Sequence, residues 1–389
     1  MFEPEFQFVE TGWACVNKHD ETLCGDSFKL FENDERKVFV LSDGLGSGVK
    51  ANILSTLTTT ILGTMLSRGI PIDEGIDTVA TTLPVCRTRK LAYSTFTVLQ
   101  LEHSQAYLVQ YYNPAAIVLR KGKSYKYQNN IRFIGEKEIH ESHIQIGKGD
   151  IVVLMSDGVT NAGIGKLASE GWNRGEVVAF LERLDTEKMS ASHIAAQIVS
   201  CCLSLSENSL DDDTTVLVIK MRDRKVVNML VGPPENKEDD NRVLKLFFAK
   251  EGIRVVCGGS TAHAVSKFTQ KPLVVIEDSK TDEIPSMGHI ENVDYVTEGV
   301  ITLKKVLELC SGYLADPLTL LSFCSKKDAA SILATLLIET ATDINIYFGM
   351  AANAAHDGTE IDFQAKLSLI KQLEECLQKM NKGVKISFC

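Results

Sequence analysis

A chain of 389 residues is longer than one ordinary hydrophobic core supports, so two domains are expected. The formal net charge of −10 argues against a nucleic-acid or anionic-membrane partner. Ten cysteines are scattered, with no CxxC pair and only Cys201 and Cys202 adjacent, which fits reduced thiols in a cytoplasm, mostly filling cores. The opening MFEPEFQFVE has no basic segment followed by an apolar one, so no signal peptide is expected. The apolar run Ala329 to Ile338 is about half of a membrane span, so no membrane partner is expected either.

In chain order, Phe6 to Val16 and Asp26 to Phe31 read as strands around a polar turn with Lys18, His19, Asp20 and Glu21. Val38 to Leu41 reads as a buried strand running into Ser42, Asp43 and Gly44. After the loop Leu45 to Gly48, Val49, Ile53, Leu57, Ile61 and Met65 recur every fourth residue, the pattern of one apolar helix face. Gly69, Ile70 and Pro71 break that helix. A second is predicted from Asp73 towards Leu83, with Ile72, Ile76, Val79 and Ala80 apolar. Arg87, Arg89 and Lys90 form a short basic patch.

Thr95 to His143 has β texture, with Thr97, Leu99 and Leu101 alternating and a turn signal at Asn113-Pro114. Ile151 to Met155 is a second apolar strand, ending again in Ser-Asp-Gly at 156–158. Helices are predicted over 176–184 and 191–205. The acidic stretch Asp211, Asp212, Asp213, Thr214, Thr215 then leads into a closing strand to Lys220. This order predicts two packed sheets with helices outside.

The polar junction Met221 to Lys225 is the expected boundary between a domain of residues 1–223 and one of residues 226–389. Beyond it, strands are predicted over 226–231, 253–257, 273–276, 294–297, 345–348 and 385–388, with helices over 242–250, 303–309, 326–340 and 363–380. That alternation predicts a smaller α/β domain with a mainly parallel sheet. Gly258, Gly259, Ser260 and Thr261 follow one strand and open a helix. Such a turn offers free N–H groups to an anion, or is an ordinary turn with a Ser/Thr N-cap. Other strand ends carry Gly232-Pro233-Pro234, Glu277-Asp278, Glu298-Gly299 and Gly349 to Asn353, with His356 near by. The carboxyl ends of strands in an open α/β sheet form a ligand crevice, which makes a small-molecule effector site an expectation there.

Aspartates recur at the strand boundaries of the first domain: Asp26, Asp43, Asp157 and the triplet 211–213. Carboxylates gathered in a low-dielectric site repel one another unless a cation compensates. Aspartates and a backbone carbonyl without His or Cys suit Mg²⁺ or Mn²⁺. The segments GDS (25–27), SDGLGSG (42–48), SDGVTNA (156–162) and DDTT (212–215), in this order, resemble the metal-dependent protein phosphatases of the 2C-like family. Within that family the chain resembles the bacterial stage II sporulation protein E branch, over residues 1–223 and including 94–123.

The resemblance implies an α-β-β-α sandwich and a serine/threonine phosphatase using two or more Mn²⁺ or Mg²⁺ ions. It implies that Asp43 bridges the ions, that the Gly44 carbonyl ligates one, that Asp157 and Asp212 complete a shell, and that Asp26 supports the second ion. Asp43 and Asp157 are therefore the expected catalytic residues. Asp211 and Asp213 remain alternatives to Asp212. A phosphorus-attacking water activated by the ions needs no covalent enzyme intermediate. No arginine precedes GDS to clamp phosphate; Lys18 is read as a solvated loop lysine rather than its substitute. The implied substrate is a phosphoprotein such as an anti-sigma-factor antagonist. The second domain loosely resembles the tail of phosphatases of this branch encoded near iron hydrogenase genes. The rival readings are a non-catalytic scaffold, or chemistry housed in the second domain. The sequence is silent on oligomeric state and leaves a homodimer open.

Overall fold

The structure is a computed structural model that describes residues 8–83, 94–135, 137–234, 240–350 and 359–389. The chain divides into two compact units, residues 1–223 and 224–389. The basic patch at 87–90, and residues 351–353 and 356, lie outside the described residues. Among the described residues no helix is long and apolar enough to cross a membrane.

In the first unit, β1 (Phe8–Val16) is followed by β2 (Asp26–Glu32), β3 (Lys37–Gly44), α1 (Gly48–Ser67) and α2 (Ile72–Thr82). Six strands follow: β4 (Ser94–Glu102), β5 (Gln105–Tyr111), β6 (Ile117–Arg120), β7 (Lys123–Ser124), β8 (Asn130–Ile134) and β9 (Lys137–Gln145). Then come β10 (Ile151–Met155), α3 (Asp157–Thr160), α4 (Arg174–Leu181), α5 (Ala191–Leu205) and β11 (Thr214–Arg222). One sheet has the order β2-β3-β4-β5-β9-β8, the other β1-β11-β10-β6-β7.

The period of two in β3 assigns its faces. Phe39 and Leu41 face the other sheet and pack with Leu99, Leu108, Val152, Leu154, Leu217 and Ile219. Val38 and Val40 face outward, against Leu54, Leu62 and Leu66 of α1 and Ile72, Ile76 and Val79 of α2. On the far sheet, α5 buries Ile194, Ala195, Ile198 and Val199. The unit is an α-β-β-α sandwich.

The face of α1 differs from the sequence expectation. Its buried residues are Ala51, Leu54, Ser55, Thr58, Thr59, Leu62, Gly63 and Leu66. Val49, Ile53 and Leu57 are 61%, 53% and 42% exposed, so the every-fourth-residue stripe begins in solvent. The physical reason is the small-residue face. Thr58, Thr60 and Thr59 bond back to carbonyls of their own helix, which satisfies their hydroxyls and lets that side approach the sheet closely.

The second unit alternates β12 (Val226–Val231), α6 (Asp240–Ala249), β13 (Ile253–Cys257), α7 (Gly259–Thr269), β14 (Val274–Ile276), β15 (Met287–Ile290) and β16 (Val293–Thr297). It continues through α8 (Val300–Ala315), α9 (Leu320–Phe323), α10 (Ala329–Thr335), β17 (Asp343–Phe348), α11 (Thr359–Lys379) and β18 (Gly383–Phe388). The strand order is β14-β15-β16-β13-β12-β17-β18. The five strands from β16 to β18 pair in parallel, while β14 and β15 pair antiparallel at the edge. The short strand β15, with Gly288 and His289 at its centre, carries little apolar pattern and was not expected. The helix expected over 326–340 is α10 prolonged by a wider, π-helical turn at Leu336–Thr340. Helices cover both faces, α8, α10 and α11 on one and α6 and α7 on the other. The order of strands reverses between β12 and β17, and there Gly349 N–H donates to the Val231 carbonyl (2.9 Å).

Both tryptophans, Trp13 and Trp172, belong to the first unit, so their fluorescence follows its unfolding. Ile53→Lys should leave its stability within about 0.5 kcal/mol, whereas Leu54→Ala should cost about 2–5 kcal/mol. Urea titrations of the two variants check this. The reverse ranking would restore the face read from the sequence.

Candidate functional site

The carboxylates collect at one end of the sandwich because the strand register brings them there. In the antiparallel β2–β3 pair, Asp26 lies directly opposite Asp43, and Asp43 lies opposite Thr95 of β4. Asp43 shares the parity of Phe39 and Leu41, so it continues the inter-sheet face past the last apolar residue. From the other sheet, β10 delivers Asp157 at the start of α3. The acidic triplet directly precedes β11, the neighbour of β10.

The two Ser-Asp-Gly motifs build matching corners. Ser42 hydrogen-bonds the Ser94 hydroxyl and donates to the Thr95 carbonyl (2.7 Å). Ser156 accepts from Thr215 N–H (2.9 Å) and donates to the Asp213 carbonyl (3.4 Å). Each serine thus locks its strand end to a neighbour. A Cβ on Gly44 would sit 2.0 Å from the Ala51 carbonyl oxygen of α1. One on Gly158 would sit 2.2 Å from the Asp213 carbonyl oxygen. Both glycines are therefore required by close approach of backbone.

The triplet separates into three roles. Asp211 is 70% exposed at its side chain and pairs with Lys166 (3.1 Å). Asp213 is buried, and its two oxygens accept from Lys18 N–H (3.0 Å) and Gly25 N–H (2.8 Å). Asp212 lies between them in the chain, half-buried, its Oδ1 accepting from Asp213 N–H (2.9 Å). Asp213 is thus occupied as a clamp between the β1–β2 loop and β11.

The electrostatics express the crowding. Burial, then the charges of Asp157, Asp212 and Asp213 and a hydrogen bond with Asp157, push the Asp43 carboxyl up to about 8. Burial and Asp43 push Asp26 well above the usual carboxylate range. Burial and Asp157 raise Asp212, partly offset by the Asp213 N–H and by Lys18. Lys18 is half-buried in the β1–β2 loop, with its charge in reach of Asp212.

Among the described residues, no group of three or more His, Cys, Asp or Glu side chains converges as a ready-made metal shell. The expected complete ligand set at Asp26, Asp43, Asp157 and Asp212 is thus brought to one end without being closed. The donors nonetheless suit a hard cation. Both oxygens of Asp26 and Oδ1 of Asp157 are buried with no hydrogen-bond partner, and buried anionic oxygens in that state call for a positive charge or a proton. Only oxygen donors are present in this cluster, the preference of Mg²⁺ and Mn²⁺.

A cavity of about 520 Å³ lies beside this end, with Tyr112, Asn113, Tyr125, Lys126, Tyr127 and Arg174 among its lining residues. Asn113 connects it to the carboxylates by accepting a hydrogen bond from Thr95, the register partner of Asp43. Tyr112 holds a left-handed backbone (φ 57°) with its ring 64% exposed, a strained arrangement for an aromatic residue.

The family model for Stage II sporulation protein E (SpoIIE) matches residues 33–222. The first unit carries a SpoIIE-type domain. The chain is 25% identical over 219 residues to Stage II sporulation protein E of Bacillus subtilis (strain 168), covering 55% of this chain and 26% of that protein. It is 26% identical over 220 residues to the Priestia megaterium protein of the same name, covering 55% and 36%. The chain therefore spans roughly a quarter to a third of these relatives' length. A solved structure of the PP2C phosphatase domain and a fragment of the regulatory domain of SpoIIE from B. subtilis aligns with TM-score 0.48 and 24% identity, over 55% of this chain and 63% of that one.

In the second unit, the loop Gly258 to Thr261 follows β13. Gly258 itself (φ 115°) is the N-cap, so no Ser or Thr side chain caps α7. Thr261 is buried with its hydroxyl unpartnered, while Gly259 and Ser260 are exposed.

Within the SpoIIE-type domain, Ser42, Ser156 and Thr215 support the carboxylates and escaped the sequence reading as functional residues, while Asp213, read there as an alternative ligand, is held by two backbone N–H groups. The repetition of Ser before Asp-Gly was their one available signal. Asp213→Asn leaves one acceptor oxygen for two buried N–H groups and should cost about 1–3 kcal/mol, with Asp211→Asn nearly neutral, by tryptophan-monitored urea unfolding.

The pH dependence follows from Asp43. Its carboxyl is raised from 3.8 to about 8 on folding, so the folded state binds the proton more tightly than the unfolded chain. The stability this supplies is fully present below about pH 4 and is lost as pH rises through about 8. In a chelator, stability should fall from about pH 5 to about pH 9 more steeply for the wild type than for Asp43→Asn. Parallel curves would refute the assignment.

Proposed function

We propose that the SpoIIE-type domain is an active protein phosphatase, hydrolysing phosphoserine or phosphothreonine on a regulatory protein with a water activated at a Mn²⁺ or Mg²⁺ site. The observation that supports this most is the gathering of Asp26, Asp43, Asp157 and Asp212 at one end, with buried oxygens lacking partners. A scaffold would need no such costly cluster. These side chains and the Gly44 carbonyl would hold the ions, which when bound supply charge neutralisation at phosphate and a nucleophilic water.

The chain's own residues contribute the rest. Asp43 and Asp157 crowd each other, and their charges would be compensated by a cation held at the reacting end. Lys18, whose charge acts on Asp212, would supply a cation for an incoming phosphate, in a domain without an arginine before Gly25. The cavity at Tyr112 and Asn113 would receive chain flanking the phosphorylated residue. A phosphorylated anti-sigma-factor antagonist, the substrate implied by the sequence resemblance, fits this class. The second unit would be a regulatory module, with an anionic small molecule at Gly258–Thr261.

Hydrolysis of p-nitrophenyl phosphate by the full chain in Mn²⁺ tests the reading. Asp43→Asn, Asp157→Asn and Asp212→Asn should each lower turnover about 100-fold or more, roughly 2.7 kcal/mol of transition-state stabilisation, while Asp211→Asn stays within about threefold. Asp43→Asn retaining more than a tenth of the activity would reject the site.

A further inference from the structure

Two cysteines that catalysis does not use lie against each other beside the carboxylates. Cys15 sits near the end of β1, opposite Thr215 of β11, and Cys24 sits two residues before Asp26. Their sulfurs are 3.1 Å apart, both half-buried, and both cysteines are free. Thr215 donates its hydroxyl to Cys15 Sγ (3.2 Å) and lies 3.9 Å from Cys24 Sγ. The Cys24 carbonyl accepts from Asn52 Nδ2 of α1 (2.8 Å), and the next N–H, of Gly25, is one of the two held by Asp213. The pair thus joins the β1–β2 loop, α1 and the acidic triplet.

We propose that Cys15 and Cys24 are a modification site that hydrogen peroxide converts to a disulfide, and that this bond weakens the carboxylate end's hold on a divalent cation. The second half rests on the metal-site reading above; the first does not. One thiol attacks the peroxide, forming sulfenic acid as the O–O bond breaks and one water leaves. The second thiol attacks that sulfur, forming the S–S bond and releasing a second water. Two sulfurs together lose two electrons and two protons, and the peroxide is reduced to two waters. A sulfenic acid formed 3.1 Å from a thiol has its resolving partner already in place.

The bond length of about 2.0 Å requires the sulfurs to close by about 1 Å. Cys15 is held in the β1–β11 ladder, so Cys24 is the partner that moves. Its carbonyl is then drawn from Asn52 and the Gly25 N–H from Asp213, and Asp26 follows two residues on.

The test uses the full chain, treated with hydrogen peroxide, alkylated, and digested without reduction. Mass spectrometry should find Cys15 linked to Cys24, released by dithiothreitol and absent in Cys15→Ser and Cys24→Ser. Recovery of both as alkylated thiols, or their linkage to other cysteines, would overturn the proposal. Calorimetric titration with Mn²⁺ reads the second half. The oxidised wild type should bind at least threefold more weakly than the reduced, and the two serine variants should show no such difference. A linked protein with unchanged Mn²⁺ affinity would overturn the coupling and leave the disulfide standing. Failure of either serine variant to hydrolyse phosphate when reduced would not bear on the linkage, which is read by mass alone.

Discussion

The first unit depends on one buried carboxylate satisfied by backbone. Asp213 accepts two N–H groups from the loop between β1 and β2, a stretch almost two hundred residues away in sequence. That contact brings Gly25, and with it Asp26, to the start of β11. A charge removed from water is tolerated only when its lone pairs are filled, and here two well-aligned amides fill them. Because Asp213 is occupied in this way, the neighbouring Asp212 is left to face Asp157 and Asp43. The division of labour within three identical residues follows from the bend that carries them into β11, which leaves Asp211 exposed and Asp212 half-buried and turns Asp213 inward.

The other carboxylates are in the opposite condition. Asp26 and Asp43 are set side by side by strand pairing, a register in which like charges repel. Their raised pKa values mark free energy held in the fold through its hydrogen-bonded corners, the serines of the two Ser-Asp-Gly motifs. Stability is given up at this end, and the large apolar core between the sheets outweighs the loss. Such a local conflict within an otherwise consistent sandwich is what a reactive site looks like physically.

The second unit follows a different logic. Its central strands β12 and β13 are buried on both faces and nearly continuous in apolar residues, while β17 alternates buried and half-buried positions and β18 is an edge. The order of strands reverses between β12 and β17, and the glycine turns after β12, β13 and β17 border that point. Buried, unpartnered threonine hydroxyls stand at the start of α7 (Thr261) and of α8 (Thr302).

Much of this was legible in the chain itself. The strands at 151–155, 226–231 and 253–257 and the helix at 191–205 coincide with the residues read from pattern, since each pairs an unbroken apolar period with a clear terminator. The recurrence of Asp at strand ends pointed to oxygen-ligand chemistry, because the residue type and its place beside a turn are local properties. Three things were decided only in three dimensions. The face of α1 that is buried is the one with threonines and glycine, since their hydroxyls are satisfied within the helix and their small size permits close packing; hydrophobicity alone ranks Val49 and Ile53 above them. The strand β15, between the edge strand β14 and β16, arises from pairing with both and leaves no apolar alternation. The choice among Asp211, Asp212 and Asp213, and the meeting of Cys15 with Cys24, depend on strands paired across the whole domain. Composition and period are written along the chain, whereas register between distant strands is set by the packing of both sheets at once.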